Sequence, residues 1–122
     1  MSKRILIVDD QPDLRLLIRL SLRQLGEVTL AESAEQALDV MATIPPDLMV
    51  LDVWLGNGQS GIDFCRSLRA DPCNAQLGII LLSDNGQQSD IAAGLAAGAD
   101  DYIVKPFSPE GLVAAASRLL AR

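Results

Sequence analysis

Four apolar runs in this 122-residue sequence end in a group able to hold or transfer charge. The run at 5–8 ends in Asp9-Asp10, the run at 48–51 in Asp52, the run at 79–82 in Ser83, and the run at 102–104 in Lys105. Taken singly, an acid in such a place is ordinarily a cap or turn residue, a serine a turn hydroxyl and a lysine a solvated charge. Taken together they suggest one chemistry. Three crowded carboxylates cannot all stay ionised without a cation to offset their repulsion. The chain contains no His. Carboxylate oxygens alone suit Mg²⁺, which keeps part of its water and accepts phosphate oxygens. An Asp can act as a nucleophile and form an aspartyl phosphate. Ser83 and Lys105 would then bind phosphoryl oxygens through a hydroxyl hydrogen bond and a point charge. The set fits phosphoryl transfer by positioning and charge neutralisation.

These residues meet only if the runs are parallel strands of one sheet, with their carboxyl ends along one edge. The order of the remaining elements supports this. The runs at 5–8, 48–51 and 79–82 are continuously apolar, as strands covered on both faces are. After Pro12, residues Leu14, Leu17, Ile18, Leu22 and Leu25 recur at helical spacing, with Arg15, Arg19 and Arg23 on another face. Gly26 is expected to close that helix. A short strand at 28–31 follows, and Glu32 reads as a helix-start acid outside the set. Ser33 and Gln36 form a capping box for a helix over 34–44, which Pro45-Pro46 stops. Residues 56–61 read as a loop and lead into a helix through Arg69; Asp71-Pro72 marks a turn. An Ala-rich helix is expected over 89–97, with Gly94 inside it and Gly98 at its end. Ser108 as N-cap and Pro109 at the first helical position open the last helix. Strand and helix alternate five times, which calls for an α/β domain with helices on both faces of a parallel sheet.

Composition narrows the function further. Apolar residues make up 49% of the chain, yet no run approaches the ~20 residues of a membrane span. No signal peptide is legible, so a cytoplasmic location without membrane attachment is expected. The net charge of −6 argues against direct nucleic-acid binding, which needs a basic face. Cys65 and Cys73 do not form a Cys-x-x-Cys pair and are expected to be free thiols.

The stretches 5–10 (Ile-Leu-Ile-Val-Asp-Asp), Leu51-Asp52-Val53, Ser83 after its apolar run, and Gly98-Ala99-Asp100-Asp101-Tyr102-Ile103-Val104-Lys105-Pro106-Phe107 resemble the receiver domain of two-component response regulators. The resemblance covers nearly the whole chain and is most specific in the last stretch. It implies a flavodoxin-like, doubly wound five-stranded parallel sheet of order 2-1-3-4-5 with five helices. One receiver domain over 1–122 is expected, with no output domain within these residues, either as a stand-alone regulator or as the N-terminal piece of a longer protein. Asp52 matches the phosphoacceptor. Asp9, Asp10, Asp52 and the backbone carbonyl of Trp54 match the Mg²⁺ ligands. Ser83 and Lys105 match the phosphoryl-binding pair, and Ser83 with Tyr102 the switch pair. The Lys105-Pro106 bond is expected to be cis. The implied partner is a sensor histidine kinase or a histidine phosphotransfer protein, which must supply the His that this chain lacks. The chain is then a signalling switch, catalysing only its own phosphorylation and dephosphorylation. Its switching surface spans 85–107 and the last helix, its effector is unknown, and it can dimerise on phosphorylation. Three positions depart from the commonest pattern: the loop that begins at Gly56, Trp54 beside the site, and Asp84 after Ser83. An Asp84 that blocks the site would give the alternative, a receiver-like docking module that works without phosphorylation.

Overall fold

The computed structural model describes residues 3–55, 58–84 and 86–122. Its elements in chain order are β1 (Lys3–Val8), α1 (Pro12–Leu22), β2 (Gly26–Ala31), α2 (Ala34–Thr43), β3 (Leu48–Asp52), β4 (Trp54–Leu55), β5 (Gln59–Ser60), α3 (Gly61–Ala70), β6 (Gly78–Ser83), α4 (Gln88–Ala96), β7 (Asp101–Val104) and α5 (Pro109–Leu120). The main sheet has the order β2-β1-β3-β6-β7, and every pairing is parallel. Counting these five strands alone, this is the 2-1-3-4-5 order expected from the sequence.

Every residue of β3 and β6 is buried, as strands covered on both faces must be. Their side chains alternate between two apolar layers. Leu6, Val8, Met49, Leu51, Ile79 and Leu81 pack with residues of α2 and α3 on one face. Ile5, Ile7, Leu48, Val50, Ile80 and Leu82 pack with α1 and α5 on the other. Each fully buried side chain of this size contributes about 1.5–3 kcal/mol, so the central strands are the best-anchored part of the molecule. Caps fix where the helices begin. Ser33 Oγ accepts from the Gln36 N–H, and Gln36 Oε1 reaches back to the Glu32 N–H. Ser60 Oγ and Ser108 Oγ accept from the Asp63 and Gly111 N–H groups at the starts of α3 and α5.

The structure corrects several local expectations. Gly26 does not close α1; the helix ends at Leu22, and Gly26 opens β2 opposite Lys3. A Cβ there would run into the Lys3 carbonyl, so strand approach requires the glycine. On α1, Ile18 and Leu22 are buried, but Leu17 is exposed. The expected loop at 56–61 is partly strand: Gln59 and Ser60 pair antiparallel with Leu55 and Trp54. Asp71-Pro72 opens a single 3₁₀ turn, Pro72–Asn74, with Asp71 Oδ1 accepting from the Cys73 N–H. Gly56, Asn57 and Asn85 lie outside the described residues. Cys65 is buried, Cys73 is exposed, and both are free. Among the described residues, no helix is long and apolar enough to cross a membrane.

Candidate functional site

Strand register brings the polar residues together. Val8 pairs with Leu51, Asp52 with Leu82, and Ser83 with Val104. Asp9, Asp52, Ser83 and Lys105 therefore stand along one carboxyl edge. The chain continues the sheet pattern as it leaves the strands, with the Lys105 N–H donating to the Ser83 carbonyl at 2.8 Å. Oxygens of Asp9, Asp10 and Asp52 lie within 4.8 Å of one another. Asp9 and Asp52 are buried, Asp10 is exposed, and Ser83 is buried beside them.

Each Asp52 oxygen has a partner. Oδ2 accepts from Lys105 Nζ at 2.8 Å, and Oδ1 accepts from the Trp54 N–H at 3.0 Å. The ion pair is nearly dry, with side-chain exposures of 13% for Lys105 and 6% for Asp52. Asp9 is less well served. Its Oδ1 accepts from the Gln11 N–H, but Oδ2 is buried without a partner. Burial pushes the Asp9 carboxyl up to about 7, the nearby Asp52 charge adds to the rise, and the Gln11 N–H and Lys105 oppose it. An unpartnered buried oxygen inside a group of hard carboxylate donors is a place for a divalent cation, so the residues present fit one.

Two contributors escaped the sequence reading. Gly61 opens α3 directly beneath Asp52: its N–H donates to the Val53 carbonyl at 2.6 Å, and a Cβ would strike the Asp52 carbonyl. In sequence it was one glycine of an expected loop. Arg15, expected on another face of α1 from its apolar residues, turns back so that Nη1 donates to the Asp9 carbonyl at 2.9 Å, with Nη2 3.6 Å from Glu32. Tyr102 lies half-buried in β7 against the α2/α3 layer. Trp54 is 57% exposed. Asp84 is exposed. The Lys105-Pro106 bond is cis, as expected.

The family model for the response regulator receiver domain matches residues 5–117. The chain belongs to this family. The receiver is 42% identical, along its full length, to the phosphate regulon transcriptional regulatory protein PhoB of Pseudomonas aeruginosa, and covers 53% of that protein. It is 41% identical to the DNA-binding response regulator MtrA of Mycolicibacterium smegmatis and covers 52% of it. The receiver thus spans about half the length of these curated relatives. Among solved structures it superposes on the BeF3-activated DrrB receiver domain with a TM-score of 0.91 at 34% identity, covering both chains in full. It also superposes on the longer DrrB chain of Thermotoga maritima, described as an OmpR/PhoB homologue, with a TM-score of 0.90, covering 54% of that chain. The flavodoxin-like fold of the receiver is shared with these neighbours.

Proposed function

We propose that this receiver takes a phosphoryl group onto Asp52 from a phosphohistidine of a partner protein and that the modified site switches a binding surface. The observation that carries this reading is the buried Lys105–Asp52 pair beside the unpartnered Asp9 oxygen. Asp9, Asp10, Asp52 and the Trp54 backbone carbonyl would hold Mg²⁺, which when bound neutralises charge on the acids and on incoming phosphoryl oxygens. Asp52 is the nucleophile. A carboxylate oxygen forms the new O–P bond, the P–N bond to the donor imidazole breaks, and the electron pair leaves with the partner's His. Lys105 holds a fixed charge next to the attacking carboxylate, which orients it and balances negative charge as the phosphoryl arrives. The Ser83 hydroxyl, on the neighbouring strand end, would donate a hydrogen bond to a phosphoryl oxygen, and Tyr102 follows that movement inward. The surface this biases runs over 86–107 and α5, where Leu95 and Val104 are exposed.

The donor is a sensor histidine kinase or a histidine phosphotransfer protein, and the site of action is the cytoplasm. Since PhoB and MtrA are named as transcriptional and DNA-binding regulators, the output we propose is control of transcription through a DNA-binding effector, with dimerisation on phosphorylation as a route to it. Residues 1–122 act as one receiver unit and as a switch, with no turnover beyond their own phosphorylation and dephosphorylation. The docking-module alternative requires Asp84 to cover the site, and its exposure favours the phosphoacceptor. Intact mass after incubation with acetyl phosphate tests the reading. A single phosphate adduct that needs Mg²⁺ and is absent from Asp52→Asn is expected; no adduct in the native chain would overturn it.

A further inference from the structure

We infer that Arg15 is a positioning residue for the acidic site, fixing Asp9 so that its free oxygen faces the cation position. The inference rests on the proposed ion site. Asp9 has four polar atoms, and three are engaged. Its N–H donates to the Ala31 carbonyl at 3.0 Å, its carbonyl accepts from Arg15 Nη1 at 2.9 Å, and its Oδ1 accepts from the Gln11 N–H at 2.8 Å. The fourth, Oδ2, is buried and unpartnered. Two of the three bonds come from backbone, so Arg15 is the side chain in the arrangement. β1 ends at Val8, and Arg15 reaches back from the first turn of α1 to take the Asp9 carbonyl just beyond that end. Its second nitrogen lies 3.6 Å from Glu32, the residue after β2. One guanidinium therefore ties the ends of β1 and β2 around Asp9, and its side chain is only 14% exposed. A planar head with several fixed donors suits that double task better than a single ammonium.

Charge alone predicts the opposite effect. A cation near the acids repels Mg²⁺, so its removal would tighten binding. A positioning role predicts looser binding, because Asp9 loses one of the bonds that aim it. Calorimetric titration of the purified chain with Mg²⁺ alone separates the two. Arg15→Met is expected to weaken Mg²⁺ binding about tenfold, the scale seen when groups supporting metal ligands are removed. Arg15→Lys, which keeps a donor for the Asp9 carbonyl but not the second contact, is expected to restore part of that loss. Should Arg15→Met fail to fold, Arg15→Gln, too short to span both partners, serves in its place and is expected to weaken binding likewise. Unchanged or tighter binding in a folded Arg15→Met or Arg15→Gln, or a lysine variant as weak as the methionine one, would overturn the inference. A native chain that binds no Mg²⁺ would overturn the ion site itself, and this inference with it.

Discussion

Lys105 pairs with Asp52 at 2.8 Å in a nearly dry site that also holds Asp9. Removing one partner of a buried pair leaves the other charge without compensation, which typically costs about 3–5 kcal/mol. Lys105→Met is therefore expected to lose about 3 kcal/mol in urea denaturation without Mg²⁺, and less with it; an unchanged midpoint would contradict the arrangement. Asp9 gives a pH dependence of definite sign. Its folded pKa is about 7, raised above the ordinary carboxyl value chiefly by burial. Between about pH 4 and about pH 7 the folded state holds a proton that the unfolded state has released, so stability falls as pH rises through that window. Asp9→Asn removes this cost. Without Mg²⁺ it is expected to be more stable than wild type at pH 8, by at most about 4 kcal/mol, with less than half that gain at pH 5. Urea midpoints at the two pH values check it, and an equal gain at both would count against it. Asp9, Asp10, Asp52, Ser83 and Lys105 were legible in the sequence because each closely follows an apolar strand. Arg15 and Gly61 were not, because their parts depend on contact with a backbone that the chain reaches only after folding.

The helix α4 is fastened unevenly. Arg69 holds the turn after it, donating to the Gly98 and Asn74 carbonyls and to Asp100 Oδ2, each at 2.8 Å. Gly98 there has φ +109, a conformation that L side chains rarely adopt. The other end starts at Gln87 without a side-chain cap. In the middle, a Cβ on Gly94 would come within 2.7 Å of Tyr102 Cδ2 and 2.9 Å of Leu81 Cδ1. An alanine there would gain about 1 kcal/mol in helix propensity, against an overpacking cost of about 1–3 kcal/mol. Gly94→Ala is expected to destabilise the chain by about 1 kcal/mol net in thermal or urea denaturation; a more stable variant would show that α4 is not pressed on β7 as described. The sequence made Gly94 look like a simple weakness in a helix. Periodicity shows which residues form a helix and is silent on which of them meets a ring from another strand. The same limit explains Gly26, whose contact is with β1, and the short β4–β5 pairing hidden in a loop-like stretch.

At the scale of the molecule, two apolar layers hold a rigid parallel sheet whose carboxyl edge carries three acids in a chain of net charge −6. The alternation of strand and helix made that architecture legible, because short crossovers leave few other ways to cover a parallel sheet. If the acids hold Mg²⁺, the ion binds the folded chain in preference to the unfolded one. At a hundred times its dissociation constant it then adds about 2.7 kcal/mol, raising the thermal midpoint by several degrees. Asp10→Asn is expected to lose most of that rise; a rise of the same size in the variant would place the ion elsewhere. The central claim is that Asp52 accepts the phosphoryl group, and locating the modified residue tests it most directly. After incubation with acetyl phosphate and Mg²⁺, borohydride reduction and peptide mass mapping are expected to find the modification at Asp52 alone, and only when Mg²⁺ was present. Modification at Asp9, Asp10 or Ser83 instead, or at Asp52 regardless of Mg²⁺, would contradict the account.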